Sequence, residues 1–209
     1  MAYLILVRHG VTNWNVEGKW HGWSDIPLNN EGKRQARETA EALKGIKIDS
    51  VYTSDLSRTI QTYEEICSKL NLVCPVINEP ALKERHYGIY AGKNKWEVEK
   101  QVGKEEFVAI RRSFDHPIPE GESLKDVYKR VVPYYQDKIL KQLKKGENIL
   151  IVSSGNSLRA LIKYLENISD EDISKLNLNF GEVIIYEIEK NGEVVGKEIR
   201  ASNLYQGKA

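Results

Sequence analysis

The sequence predicts an α/β protein, a three-layer α/β/α sandwich around a mostly parallel sheet. Two apolar runs, 3–7 and 148–152, lack polar alternation, which is typical of strands buried on both faces. Segments with helical spacing alternate with these runs and with a short strand predicted at 49–53, and such alternation favours helices on both sides of one sheet. The 209 residues suffice for one large core, so we expect a single domain over residues 1–209.

The composition argues against several classes of function. Charged residues make up 29%, and the net charge of +1 gives no electrostatic reason to expect nucleic acid or an anionic membrane as partner. No apolar run approaches the ~20 residues of a membrane-spanning helix, and the start lacks the pattern of a signal peptide. Cys67 and Cys74 show no metal-site spacing. We therefore expect two buried, reduced thiols and a cytoplasmic location.

The remaining elements follow from local patterns. Helices are predicted over 30–44, 55–70, 96–102, 105–114, 123–143 and 157–165, and further strands over 72–77, 183–188 and 194–199. Ser54 or Asp55 is the expected N-cap of the second helix, and Pro133 should kink or interrupt the fifth. Asn191-Gly192 predicts a hairpin turn. Residues 11–25 show no period and are predicted to form a functional loop, and the tail, 202–209, to be flexible.

Arg8, His9 and Gly10 follow directly after the first buried strand. Ligands of parallel sheets bind beyond the carboxyl ends of the strands, so a fixed cation and a titratable nitrogen are expected at the mouth of a site. A chance basic pair in a loop explains the tripeptide equally well. Arg58 falls in the first turn of the second helix, either as a solvated side chain or as a second cation at an anion-binding helix terminus.

A longer series of motifs resembles the histidine phosphatase superfamily. It comprises Arg8-His9-Gly10, the stretch 53–58, Glu84 and the strand and turn at 148–156. The segments 82–88, 92–95, 111–112, 122–124 and 155–161 are similar to cofactor-dependent phosphoglycerate mutases. The resemblance covers about residues 3–190 and implies an antiparallel strand at one edge of the sheet. The family often forms homodimers, so a homodimer is a further implication.

The resemblance implies that His9 forms a phosphohistidine, is primed by 2,3-bisphosphoglycerate, and interconverts 3-phosphoglycerate and 2-phosphoglycerate. This reaction belongs to glycolysis and gluconeogenesis, and no metal is implied. The residues implied to be catalytic are His9, Glu84, Arg8, Arg58 and Ser154. Those implied to bind this small phosphorylated metabolite are Thr12, Asn15, His21, Gly22, Arg58, Tyr87, Lys95, Arg111, Arg112, Gly155 and Asn156.

The residue types suit phosphoryl transfer. Imidazole is neutral and nucleophilic near its usual pKa of ~6.5, as His9 requires. The transferring group carries charge on three equatorial oxygens, which the forked donors of Arg8 and Arg58 match. Glu84 fits the role of a proton shuttle between the attacking and leaving hydroxyls. A phosphatase needs one phosphate pocket, whereas a mutase needs cations for a second anionic end, which Lys95 and the pair 111–112 supply.

The sequence departs from the mutase pattern in three places. Ser154 stands where the family has a second histidine, and a hydroxyl brings no positive charge. Losing one preorganised donor costs about 3–4 kcal/mol, or roughly 10²–10³ in rate, in comparable sites. The segment 113–121 has nine residues where mutases carry a longer insertion. His21 replaces the usual threonine, and the carboxyl tail is short.

These departures keep two alternatives open. One is a phosphatase that acts on a small phosphorylated metabolite with the same His9 nucleophile. The other is a pseudoenzyme that binds phosphate but does not turn it over, because Ser154 lacks the imidazole.

Overall fold

Six strands form one sheet in the computed structural model, which describes residues 1–201. They are β1 (Ala2–Arg8), β2 (Ser50–Thr53), β3 (Val76–Asn78), β4 (Ile149–Ser153), β5 (Glu182–Ile188) and β6 (Val194–Ala201). The order across the sheet is β3-β2-β4-β1-β5-β6. The first four strands are parallel, whereas β5 runs antiparallel to both β1 and β6. The predicted mostly parallel sheet with an antiparallel edge is confirmed. The tail predicted to be flexible lies outside the described residues.

Helices connect and flank the strands. They are α1 (Asn13–Val16), α2 (Asn30–Ala42), α3 (Ser57–Leu70), α4 (Lys95–Val102), α5 (Lys104–Arg112), α6 (Leu124–Tyr134), α7 (Leu140–Leu143) and α8 (Gly155–Leu165). The predicted interruption at Pro133 is present, because a π-helical turn, Tyr135–Ile139, separates α6 from α7. Proline has no N–H to donate to the preceding turn. None of the helices in the described part of the chain is long and apolar enough to cross a membrane.

Alternate residues of the central strands serve the two faces of the sheet. Leu4 and Leu6 of β1 pack with α6, α7 and α8 on one face, and Ile5 and Val7 pack with α2 and α3 on the other. All four side chains are at most 1% exposed. Full burial of such a side chain contributes about 1.5–3 kcal/mol, so the unbroken apolar run is what fixes β1 at the centre of three layers.

A third apolar cluster lies away from the sheet and ties the loop after β1 to the helices α4 and α5. Its buried members are Trp20, Tyr87, Val98, Phe107, Ile110 and Ile118. The cluster gives the pair of helices a fixed position beside the loop, although neither helix packs on the sheet through these residues.

Strand register brings the ends of β1 and β4 together. Arg8 pairs with Ser153, and the main-chain N–H of His9 donates to the Ser153 carbonyl oxygen at 3.0 Å. The residues that follow both strands therefore lie at one edge of the sheet, which is where the sequence predicted a site.

The predicted N-cap of α3 was wrong. The N-cap is Leu56, whose side chain makes no capping hydrogen bond. Asp25 takes this role from 32 residues away, because its carboxylate accepts from the Ser57 main-chain N–H at 2.7 Å and from the Ser57 hydroxyl at 2.6 Å. A cap from a distant loop leaves no local signal in the sequence. It also draws residues 11–25 toward Arg58.

Other local expectations need correction. Residues 11–25 contain one helical turn, α1, because Thr12 and Asn15 form a reciprocal capping box. The edge strand β3 covers only Val76–Asn78, so Cys74 lies outside it. The first helical residue of α8 is Gly155, two positions earlier than predicted. Both cysteines are free as expected, but they are partly exposed, not buried.

Candidate active site

A cavity of about 310 Å³ opens at the carboxyl ends of β1 and β4. Twelve of the predicted site residues line it, namely Arg8, His9, Asn15, His21, Arg58, Glu84, Tyr87, Lys95, Arg111, Arg112, Gly155 and Asn156. Three others do not: Thr12, Gly22 and Ser154. Because these twelve come from seven separate stretches of sequence, their convergence is a property of the fold.

His9 is held as a neutral nucleophile. Its ring Nδ1 lies 2.7 Å from the Gly10 carbonyl oxygen, which can only accept, so Nδ1 carries the proton and Nε2 keeps a free electron pair. The ring is 3% exposed. Burial, together with the charges of Arg58 and Arg8, holds the pKa of His9 well below its usual value.

Two guanidinium groups, of the buried Arg58 and the partly buried Arg8, flank His9. Arg58 is fully buried and donates from Nη1 to the Ser24 carbonyl (3.0 Å) and from Nη2 to the Gly22 carbonyl (2.9 Å). Arg8 donates from Nη1 to the Leu178 carbonyl at 2.5 Å. Burial lowers the pKa of Arg8 to about 10, so the group stays charged at neutral pH. The Nε atoms of both arginines lack a partner among residues 1–201, which leaves donor capacity that protein atoms do not use.

Glu84 is the acidic side chain in the cavity lining. Its Oε1 accepts from the main-chain N–H of Arg85 (2.6 Å) and from the side-chain amide of Asn156 (2.9 Å). The Asn156 main-chain N–H, in the first turn of α8, also points at the carboxylate, 3.3 Å from Oε1 and 3.5 Å from Oε2. Among residues 1–201, Oε2 therefore has only one long hydrogen bond, which leaves this oxygen available to take up or release a proton.

Asn156 positions its neighbours. Its Oδ1 accepts from Arg159 Nη1 at 2.9 Å, which fixes the orientation of the amide. The amide nitrogen then donates to Glu84 and to the Tyr87 hydroxyl (3.0 Å). Tyr87 also accepts from Arg85 Nη2 at 3.0 Å, so its own O–H remains to donate into the cavity. Both donors of Asn156 are thus engaged by protein, whereas the sequence placed it among the phosphate ligands.

Lys95, Arg111 and Arg112 bring positive charge to the cavity from α4 and α5. All three are half-buried. Burial lowers the pKa of Lys95 to about 8, and the charges of Arg111, Arg8 and Arg112 act in the same direction, against Glu84. These cations repel one another, so an anion bound among them would relieve the repulsion.

Of the predicted site residues in the loop after β1, Asn15 and His21 line the cavity, whereas Thr12 and Gly22 do not. Thr12 is fully buried, and its hydroxyl lies 2.6 Å from His21 Nε2. Burial, with the Arg58 charge second, lowers the pKa of His21 to about 2, so His21 is a neutral hydrogen-bonding group. Gly22 supplies the carbonyl that holds Arg58, and at φ +55° a Cβ would lie 3.0 Å from the Tyr87 nitrogen. A larger residue there would displace the loop.

Ser154 is fully buried and does not line the cavity. It is the N-cap residue of α8, yet its side chain makes no capping hydrogen bond, and its Oγ has no partner in the described chain. A buried hydroxyl without a partner is uncommon and costs about 1–3 kcal/mol. The serine thus provides no contact to the cavity.

Sequence reasoning missed several residues of the site. Arg159 lines the cavity and is 5% exposed. The segment 176–180 forms a further wall, for which we use the name strap. Arg130 lies outside but donates to the carbonyl oxygens of Ala81, Lys83 and Glu84 and pairs with Glu122, so it holds the loop that carries Glu84. Arg130 and Arg159 donate to main-chain carbonyls, and the sequence carries no local signal for such contacts.

The charge of the cavity determines what it can bind. Arginine and lysine side chains dominate its lining, with Glu84 as the acidic group. Such a site favours a ligand with several negative charges over a neutral one. Within residues 1–201, no group of three or more His, Cys, Asp or Glu side chains is placed to hold a metal ion. The site therefore combines a neutral imidazole, fixed cations and one carboxylate. These are the groups that phosphoryl transfer requires.

Comparison with known proteins agrees with this geometry. The model of the family described as Histidine phosphatase superfamily (branch 1) matches residues 4–198. The chain belongs to the histidine phosphatase superfamily. A Cytophaga hutchinsonii protein named 2,3-bisphosphoglycerate-dependent phosphoglycerate mutase is 43% identical over 187 residues, which cover 90% of this chain and 88% of that protein.

Solved structures of the superfamily share the fold. Bacillus stearothermophilus YhfR matches with a TM-score of 0.83 and 26% identity over 93% of this chain and 95% of its own. The alpha-ribazole phosphatase from Shigella flexneri matches with a TM-score of 0.78 and 26% identity, over 95% of this chain and 94% of its own. The superfamily resemblance inferred from the sequence is thus confirmed.

Proposed function

We propose that the protein is a 2,3-bisphosphoglycerate-dependent phosphoglycerate mutase, an isomerase of glycolysis and gluconeogenesis. One observation carries the proposal: a single cavity contains His9 between Arg8 and Arg58 and also a second set of cations, Lys95 with Arg111 and Arg112. Hydrolysis of a monophosphate needs only the first set. Relatives with this name, such as the Cytophaga protein at 43% identity, support the same choice.

The residues present fit 2,3-bisphosphoglycerate. Arg8 and Arg58, whose Nε atoms have no partner among residues 1–201, line the cavity with His9, and Lys95, Arg111 and Arg112 line it too. We assign the phosphoryl group near His9 to the first two arginines, and the second phosphate and the carboxylate to the other three cations. When bound, the bisphosphate supplies the phosphoryl group that primes His9.

The protein's own groups then perform the transfer. Nε2 of His9 carries the phosphoryl group, and the proton on Nδ1 is held by the Gly10 carbonyl. Arg8 and Arg58 neutralise the charge on the equatorial oxygens. Glu84 removes the proton from the substrate hydroxyl that attacks phosphorus and returns it to the hydroxyl that leaves. The O–H of Tyr87 donates to the substrate.

A phosphatase is the second candidate, and a specific observation favours it. Ser154 brings no group to the cavity, so the site lacks the donor that would retain and return the phosphoryl group. The Shigella flexneri alpha-ribazole phosphatase, named as a phosphatase, shares the fold. The substrate would then be a small phosphorylated metabolite.

Product analysis separates the candidates. The protein is incubated with 3-phosphoglycerate and a catalytic amount of 2,3-bisphosphoglycerate, and the phosphorus products are followed by ³¹P NMR. We expect 2-phosphoglycerate. Inorganic phosphate as the main product would establish the phosphatase. If no product forms although the ligand still binds, the protein is the pseudoenzyme. His9→Ala is the control for chemistry from contaminants.

Location and assembly are further proposals. Neither Cys67 nor Cys74 forms a disulfide, which supports a cytoplasmic location for an enzyme of central metabolism. One domain over residues 1–209 is supported by the family match over 4–198. A homodimer stays a prediction, which size-exclusion chromatography with light scattering measures.

A further inference from the structure

The strap holds an aromatic ring against the reacting groups. Phe180 is 1% exposed, and its ring centroid lies 3.7 Å from the guanidinium carbon of Arg8. The same ring lies 5.7 Å from the imidazole of His9, at an interplanar angle of 59°. Phe180 therefore contacts both the nucleophile and one of its two flanking cations, yet it has no group for acid–base or nucleophilic chemistry.

Main-chain contacts fix the position of this ring. The Leu178 carbonyl oxygen accepts from Arg8 Nη1 at 2.5 Å, and the Gly181 N–H donates to the Arg8 carbonyl oxygen at 3.2 Å. The Gly181 carbonyl accepts from the Thr39 hydroxyl at 3.0 Å, which ties the residue after the strap to α2. Arg8 is thus gripped by a carbonyl and a ring from the same short segment.

Anchors on either side of Phe180 keep the strap in place. The Asn179 amide donates to Glu182 Oε2 at 2.6 Å, at the start of β5. Toward the other end of the strap, Arg112 Nη1 donates to the Leu176 carbonyl at 3.5 Å. The strap thereby connects the cation beside His9 to a cation of α5.

We infer that Phe180 is a positioning and specificity-determining residue, which holds Arg8 for the phosphoryl group and keeps water away from His9. The inference rests on the proposed function. A ring stacked on a guanidinium attracts the cation and limits its motion. An apolar wall beside the nucleophile also leaves water without a hydrogen-bond partner on that side, and exclusion of water suppresses hydrolysis of reactive intermediates.

Hydrolysis is the reaction that Phe180 opposes. A water oxygen bonds to phosphorus, the bond from phosphorus to Nε2 of His9 breaks, and the electron pair returns to Nε2. One water proton passes to Glu84, and inorganic phosphate leaves. Transfer to a substrate hydroxyl follows the same course with a different acceptor, so exclusion of water decides the ratio of the two.

Two variants separate positioning from water exclusion. Phe180→Ala removes both the ring and the wall, whereas Phe180→Leu keeps an apolar wall and removes the ring. The matched control is Phe114→Leu, because Phe114 is 7% exposed, its ring lies 4.6 Å from the Lys163 ammonium, and it does not line the cavity. Thermal melts of all three variants show whether folding is retained.

Two readouts test the inference. The first is affinity for vanadate, a phosphate analogue, by isothermal titration calorimetry. We expect it to fall about tenfold in both Phe180 variants and to stay unchanged in the control. The second is the ratio of inorganic phosphate to 2-phosphoglycerate formed from 3-phosphoglycerate and 2,3-bisphosphoglycerate. We expect this ratio to rise about tenfold in Phe180→Ala and to stay within about threefold of wild type in Phe180→Leu.

The outcomes are distinguishable. If the wild-type protein makes 2-phosphoglycerate and neither readout moves in Phe180→Ala, the inference is wrong and the proposed function stands. If the wild-type protein makes no 2-phosphoglycerate but vanadate affinity falls in both variants, the proposed function fails and the positioning of Arg8 by Phe180 stands. Unchanged vanadate affinity in a folded Phe180→Ala overturns the positioning role in either case.

Discussion

The two halves of the cavity are built differently. The strand-end half holds His9 and Arg58, which are at most 3% exposed, together with the partly buried Arg8, and main-chain hydrogen bonds fix all three. The helical half, with Lys95 and the pair 111–112, is half-buried, and burial and mutual repulsion lower the pKa of Lys95. The first half is preorganised for chemistry, whereas the second gathers charges that an anionic ligand would stabilise. Rate and affinity should therefore depend on different halves.

The largest effect should come from comparing one substitution in the strand-end half with one in the helical half. His9→Ala removes the nucleophile, and we expect kcat to fall by roughly 10⁴ or more. Lys95→Met removes one charge-assisted contact, and we expect KM for 3-phosphoglycerate to rise about tenfold to a hundredfold, with a smaller change in kcat. Steady-state kinetics of the two variants measure the split. Equal losses of kcat in both would contradict the division.

Arg130 holds the loop that carries Glu84, and its substitution should have the next largest effect. Arg130→Met leaves the partly buried Glu122 without its cation and removes a donor from three carbonyl oxygens, of which those of Lys83 and Glu84 keep a second donor. We expect the free energy of unfolding to drop by about 1–3 kcal/mol. Urea denaturation measures it. Lys129→Met is the control, since that exposed pair with Asp126 should contribute at most about 0.5 kcal/mol.

How much of this was predictable differs between the halves. The apolar runs of β1 and β4 predicted a parallel sheet, and parallel strands place Arg8 and His9 at one edge. The positions of α4 and α5 relative to that edge depend on the cluster around Trp20 and Tyr87, which has no local sequence signal. For the same reason the Asp25 cap, Arg130 and Phe180 went unrecognised. The family resemblance identified Lys95 without explaining what places it.

Ser154 offers a way to improve the strand-end half. Ser154→His places an imidazole at the start of α8, and we expect mutase turnover to rise at least about tenfold, because one preorganised donor is worth more than that in comparable sites. Turnover of 3-phosphoglycerate measures the gain. Unchanged turnover would contradict the idea that the lack of an imidazole at residue 154 limits this protein.

The smallest effect concerns pH and the helical half. The Lys95 amine is charged below its pKa of about 8 and neutral above it, so attraction of an anionic substrate is lost as pH rises through this value. We expect kcat/KM to decline above about pH 8. In Lys95→Arg the decline should move to higher pH, because a guanidinium stays protonated. A decline that stays at the same pH in this variant would exclude Lys95 as its origin.

The central claim is that His9 carries a phosphoryl group and passes it on to a phosphoglycerate. The most direct measurement uses ³²P-labelled 2,3-bisphosphoglycerate, with the protein denatured at alkaline pH, where phosphohistidine is preserved, and chased in parallel with unlabelled 3-phosphoglycerate. We predict acid-labile label on the wild-type protein that the chase transfers to 2,3-bisphosphoglycerate, and none on His9→Ala. Label that leaves only as inorganic phosphate, or label that persists in His9→Ala, would contradict the account.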